Sequence, residues 1–251
     1  MRRRGLGDVL HYFISEEEQR EARARVQTPR GPEHSFATSW CLPALPERPL
    51  SCAIAIDLAV AASRRGARAE ILAPFPRHRL LPRTPEVCWR LIELDPDGAN
   101  SLESALAELA PGSRAFVLLP PTQLGPVLQQ LAPGSLEGVL VPLNATPRGQ
   151  ARALGLVRQL GPPRPGLRIG AVPVGARNSV EAHASFEKLA RAARRQLGHE
   201  IEQLGELHRG PATFRSLLHG VTVLDMDEDG SSARSLRNLC ERLAPEARAA
   251  G

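Results

Sequence analysis

The sequence predicts an α/β protein with a doubly wound, mostly parallel sheet of about seven strands and helices on both faces. Three observations predict it. Apolar runs of strand length recur along the chain (FATSWCL, RAEILA, RAFVLLP, LEGVLVPL, LRIGAVPV). Each is nearly continuous rather than alternating, as strands covered on both faces are. Between them lie segments whose apolar residues recur at helical spacing, and proline and glycine punctuate the joins. Strands alternating with helices imply crossover connections and parallel pairing.

Taken in order, residues 6–14 place Leu6, Val9, Leu10, Phe13 and Ile14 on one face of a short helix. Ser15 and Glu18 form a capping box that starts a charged helix to about Arg25. The stretch QTPRGPEHS (27–35) reads as a linker. Residues 1–35 are therefore an amphipathic arm, 36–244 an α/β body and 245–251 a disordered tail. In the body, FATSWCL is a buried strand and AIAIDLAVAASRRG a helix closed by Gly66. RAEILA is a strand stopped by Pro74 and Pro76, and EVCWRLIELD is a strand before the DPDG turn. SLESALAELA is a helix with Ser101 as its N-cap and Glu103 in the first turn, where a negative charge is favourable. RAFVLLP, LEGVLVPL and LRIGAVPV are strands, separated by helices at TQLGPVLQQLA and TPRGQARALGLVRQLG. A long helix follows with Phe186, Leu189, Ala190, Ala193 and Leu197 as its stripe and Gly198 at its C-terminal stop. IEQLGEL reads as a last short strand, and Pro211 opens a helix that ends before Gly220. The final helix begins near Ser231 or Ser232 and turns Leu236, Leu239, Cys240 and Leu243 inward.

Composition narrows the functional classes. Aromatic residues are only 4% of the chain, so aliphatic packing dominates the core. The net charge of +5 permits contact with nucleic acid or anionic lipid without requiring it. Cys41, Cys52, Cys88 and Cys240 form no C-x-x-C pair and no metal spacing, which fits a reducing compartment. Arg2, Arg3 and Arg4 precede a segment too short and polar for a signal peptide, and no stretch is long enough to span a membrane. The expected location is the cytoplasm. The acidic run DMDEDG (225–230) matches the first half of a calcium loop. Its twelfth position is Leu236 rather than a bidentate Glu, and the segment before it reads as extended, so no metal site is expected. No catalytic triad, zinc motif or nucleophile elbow is present.

The loop after the first strand, LPALPERPLSC, holds neither glycine nor lysine, and the only lysine of the chain is Lys188. A phosphate loop needs glycines for close backbone approach, a lysine for charge and a hydroxyl for magnesium. The helix and strand that follow, AIAIDLAVAASRRGARAEIL, and the segment SVEAHASFEKLARAARRQLGHEIEQLGELHRGPATFRSLLHG resemble the MinD/ParA family of P-loop ATPases. The closest branch is the MinD-like regulators of flagellar number and placement. The resemblance implies a P-loop NTPase-like fold over about residues 36–244. It also implies which positions would have carried chemistry. Pro46 stands at the signature lysine, and Glu47, Arg48 and Leu50 at three glycines. Ser51 stands at the Walker lysine and Cys52 at the magnesium-binding threonine. Ala73 and Phe75 replace the acidic pair after the second strand. Pro120 replaces the Walker B aspartate, and Pro173 and Val174 stand where an adenine-reading asparagine would be.

These replacements lead to an expected function. Pro46 and Pro49 lack N–H donors and Glu47 repels phosphate, so little would stabilise phosphoryl transfer. The sequence points to a non-catalytic pseudo-ATPase with no cofactor. It would act as a regulator or adaptor in cellular spatial organisation through protein partners, which could include an intact MinD/ParA-like homologue or a second copy. Leu6, Val9, Leu10 and Phe13 are the expected docking residues, although the arm could equally pack on its own domain. One alternative is an ATPase with unconventional phosphate contacts through Arg48 and Ser51. Another is an arginine-mediated nucleic-acid-binding module, which lacks an arginine cluster on one predicted face.

Overall fold

Among the described residues, eight strands form one sheet in which every pairing is parallel. The computed structural model describes residues 38–45, 49–94, 100–208 and 211–244. The arm with Leu6, Val9, Leu10 and Phe13, the loop residues Pro46, Glu47 and Arg48, the DPDG turn and the C-terminal tail lie outside them. The described chain runs β1 (Thr38–Pro43), α1 (Pro49–Ser63), β2 (Ala69–Ala73), β3 (Val87–Leu91), α2 (Asn100–Ala107), β4 (Arg114–Leu119) and α3 (Pro121–Gln130). It continues with β5 (Gly138–Asn144), α4 (Pro147–Gln159), β6 (Arg168–Ala176), α5 (Ser179–Leu197), β7 (Glu202–Gln203), β8 (Leu207–His208), α6 (Pro211–His219), α7 (Val223–Met226) and α8 (Ser231–Arg242). The strand order is β3-β2-β4-β1-β5-β6, with β7 and β8 both on the outer edge of β6.

Each face of the sheet carries its own core. On one face α1, α7 and α8 pack over Trp40, Leu42, Ile71 and Phe116. On the other, α2 to α5 cover Leu72, Val117, Val139 and Val141. Alternate residues of each strand thus feed opposite layers, which is why the strand sequences are apolar throughout. Helix α1 is the extreme case, since all its residues from Cys52 to Ala62 are buried. A helix that is apolar all round needs partners all round. The sheet supplies one side, and α7 and α8 supply others through Val223, Leu224, Leu236 and Leu239. Two long-range bonds tie α8 to the sheet. Trp40 Nε1 donates to the Leu243 carbonyl at 3.2 Å, and Arg114 Nη1 donates to the Cys240 carbonyl at 3.0 Å.

Three local expectations are corrected. The last strand is two pieces rather than one: Glu202–Gln203 pairs with Gly170 and Ala171, and Leu207–His208 pairs with Val174 and Ala176 across a bulge at Gly175, whose φ is 76°. Helix α2 starts at Asn100, so Ser101 lies inside it. The Ser101 hydroxyl donates to the Glu93 carbonyl and anchors the helix start to the chain leaving β3. The segment before DMDEDG is helical, because Thr222 caps α7 by accepting from the Asp225 N–H at 3.0 Å.

Helix α3 contains Gly125 because α4 comes too close for a side chain. A Cβ there would overlap the Gln159 backbone carbonyl. Backbone cannot rotate aside as a side chain can, so Gly125→Ala should force α3 and α4 apart. The expected loss is about 1–3 kcal/mol in denaturant unfolding. An unchanged midpoint would mean that the two helices do not meet at Gly125.

Candidate functional site

Chain direction around the sheet creates the site. From β1 the chain passes through α1 toward β2, while from β5 it passes through α4 toward β6 on the opposite side. Adjacent strands whose connections diverge leave a crevice at their carboxyl ends, and ligands of open α/β sheets bind there. In this protein the crevice is a cleft of about 1030 Å³ between the end of β1 (Pro43, Ala44), the start of α1 (Leu50, Ser51) and α4. A second cavity of about 660 Å³ adjoins it, and Leu50, Asn144, Thr146, Val174 and Leu217 line both.

The positions singled out in the sequence divide between cleft and core. Leu50 and Ser51 line the cleft, and Leu50 is exposed. Cys52 is buried in the core beneath them, and burial pushes its thiol up to about 11, so it is neither thiolate nor ligand near neutrality. Ala73 and Phe75 are buried at the end of β2, with the Phe75 ring 6.4 Å from that of Trp89. Pro120 is the N-cap residue of α3, and it is Pro121 that reaches the cleft. Val174 lines both cavities. Pro46, Glu47 and Arg48 lie outside the described residues.

Helix α4 carries cleft residues that sequence reasoning missed. Arg148 and Arg152 are both exposed and line the cleft one helical turn apart. Neither forms an ion pair with a described residue, so they leave a positive wall. The loop that presents them is held tightly. Asn144 Oδ1 accepts from the Thr146 N–H at 3.0 Å, and Thr146 Oγ1 accepts from the Gly149 N–H at 3.1 Å. Gly149 is required there, since a Cβ would stand 2.5 Å from Asn144 Cβ. The signal was present in the sequence as a Thr-Pro helix start followed by Arg at i and i+4. The sequence shows only a helix over TPRGQARALGLVRQLG, because the topology alone shows that this helix borders the crevice.

The second cavity has one acid. Asp57, 5% exposed on α1, accepts at Oδ1 from the Val223 N–H at 2.9 Å. Burial raises its pKa to about 7. The bond from Val223 and the charge of Arg64 oppose that rise, and the charge of Asp225 adds to it. His208 borders the same cavity, with Nδ1 buried and unpartnered. The lining residues thus include cations, hydroxyls and one buried carboxyl. They include no lysine, and the acidic run 225–230 contributes none, Asp225 being held by Arg64 and Thr222. Among the described lining residues, Arg148 and Arg152 are the groups that could hold an anion.

Comparison with known proteins identifies the fold. No family model matches the chain, and no curated protein matches it in sequence. Solved structures do. The MinC:MinD cell division protein complex of Aquifex aeolicus superposes with a TM-score of 0.57 at 10% identity, over 84% of this chain and 97% of that one. A ParA family ATPase from Chlorobium tepidum gives 0.57 at 12% identity, over 82% and 98%. The cell division ATPase MinD of Pyrococcus furiosus gives 0.57 at 14% identity, over 83% and 98%. The chain therefore has the MinD/ParA-like α/β fold, and at these identities the likeness speaks to fold alone. No helix among the described residues is long and apolar enough to cross a membrane.

Asp57 gives the site a pH signature. Its carboxyl has an ordinary value of 3.8 and ionises only near 7 in the folded protein. Between those values the folded state keeps a proton that the unfolded state releases. The contribution of Asp57 to stability is therefore greatest below about pH 4 and falls toward pH 7, by at most about 1.4 kcal/mol per pH unit. Asp57→Asn cannot ionise and retains an acceptor for Val223. Its urea midpoint should exceed the native one at about pH 8, with the gap closing toward about pH 4. A gap independent of pH would show that Asp57 does not change protonation on folding.

Proposed function

We propose that this protein is a non-catalytic, MinD/ParA-like regulator or adaptor in cellular spatial organisation, such as flagellar placement, polarity or division. The observation that supports it is the side-chain chemistry of the crevice. Among the described residues, no lysine or carboxylate lines the cleft, and the one carboxyl of the adjoining cavity, Asp57, is buried and bonded to Val223. A metal-bound triphosphate would find neither a lysine nor an acidic metal ligand among the described residues of the cleft.

The arginines of α4 favour a second reading, in which the cleft holds a nucleotide without hydrolysing it. Arg148 and Arg152 face the cleft free of described carboxylates. The amino ends of α1 and α4 open toward the same space and add favourable dipoles for an anion.

Melting temperature separates the two. Ligand binding to the folded state raises it, by an amount that grows with the logarithm of ligand concentration over Kd. Under the first reading, millimolar ATP or ADP with magnesium leaves it unchanged. A rise that disappears in an Arg148→Gln, Arg152→Gln double variant would establish the second reading and overturn the first.

The partner contact belongs, in this proposal, to Leu6, Val9, Leu10 and Phe13 of the arm, and the partner is an intact MinD/ParA-like homologue. One solved neighbour is itself a complex of two different proteins. Removing residues 1–25 should abolish co-purification with that homologue, and unchanged co-purification would place the contact elsewhere.

A further inference from the structure

Outside the cleft, unpartnered buried polar atoms concentrate in one stretch of the chain. Six buried side-chain nitrogen or oxygen atoms lack a hydrogen-bond partner among the described residues, and four of them fall within residues 77–89. They are Arg77 Nε, Arg77 Nη2, Thr84 Oγ1 and Trp89 Nε1. Three of the four are obligate donors, and the fourth is a hydroxyl that can donate. Buried donors are almost always satisfied, so such a concentration calls for an acceptor.

The chain path folds this stretch back over its own strand. Strands β2 and β3 are parallel neighbours, with Ala69 opposite Val87 and Ile71 opposite Trp89. Residues 74–86 must therefore run back along the length of β2. They do so without a helix, anchored by buried Phe75 and Leu81. A turn forms between these anchors, where the Leu81 N–H donates to the His78 carbonyl at 3.0 Å. Arg77 lies just before the turn, and Arg83 and Thr84 lie just after it. Trp89 stands on the strand the connector folds over, against the Phe75 ring.

We propose that this connector is an oxyanion-binding site, with Arg77 gripping a carboxylate or phosphate group side-on and Thr84 and Trp89 donating to it. Nε–H and Nη2–H project in parallel from one edge of a guanidinium, at the spacing of two oxygens of such a group. That is the edge of Arg77 left without an acceptor. The charge felt by Arg77 has the same sense. After burial, the cause that lowers its pKa is the positive charge of Arg83, an exposed arginine at the same turn. An anion arriving there relieves both the desolvation and the repulsion. The site lies apart from the cleft, whose lining includes none of these residues, and it does not rest on the function proposed for that cleft.

The test uses the full chain, isotope-labelled, in buffer free of phosphate and carboxylate. Two tryptophans give two indole N–H signals, and Trp89→Phe identifies that of Trp89. Sodium phosphate and sodium acetate are titrated separately at constant ionic strength. The Trp89 signal should move saturably while that of Trp40, already bonded to the Leu243 carbonyl, stays in place. A tighter response to phosphate marks a phosphoryl ligand, and a response to acetate alone marks a carboxylate. Arg77→Gln should weaken binding by about tenfold or more, and Arg77→Lys should also weaken it, since the ammonium lacks the forked edge. Arg79→Gln, on an exposed neighbour, should leave it unchanged. Silence of the Trp89 signal toward both anions overturns the proposal, as does equal binding by Arg77→Gln. Failure of Arg77→Gln to fold in anion-free buffer also overturns it, because the guanidinium would then already have its acceptor within the protein.

Discussion

Everything in this fold is arranged around the burial of α1. The segment from Cys52 to Ala62 leaves no residue in water, so the helix has no solvated side. It must be enclosed by the sheet, α7 and α8 together. That requirement explains why the last helix returns across the chain to lie against the first, and why Trp40 and Arg114 reach across to hold its carbonyls. It also explains the cost of Asp57. One carboxyl placed in this layer is driven toward its neutral form, and the Val223 N–H is the protein bond that offsets its burial.

The crevice shows how shape and chemistry come apart. Its position follows from chain direction, since β1 and β5 send their helices to opposite sides whatever residues stand at their ends. Its chemistry follows from a few side chains at those ends. Pro43, Ala44, Pro142 and Leu50 make the walls apolar, while Arg148 and Arg152 make one wall positive. Proteins of this fold are suited to a change of those side chains, because their cores lie in layers remote from the carboxyl ends of the strands.

Much of this architecture was legible in the sequence. Continuous apolar strands announced a parallel sheet with two covered faces, and the layers on either side confirm that reading. The start of α8 and the stops at Gly66, Gly198 and Gly220 were readable because they depend on local chemistry, with positive φ at each glycine. The errors fell where tertiary contact overrides local preference. Ser101 looked like a cap and is an anchor to Glu93. IEQLGEL looked like one strand and is two short ones, each paired with a different part of β6. The stretch before DMDEDG looked extended and is a capped turn of helix.

The sequence by itself determined the fold class, the identity of both cores and the absence of a glycine–lysine phosphate loop. These follow from periodicity and residue type, which are local quantities. Only the tertiary structure decided which residues share a surface. It placed Arg148 and Arg152 on the crevice and withdrew Cys52, Ala73 and Phe75 into the core. It also left Arg77, Thr84 and Trp89 as donors without an acceptor. Hydrogen-bond satisfaction and burial depend on what the rest of the chain brings near, and no window of sequence contains that information.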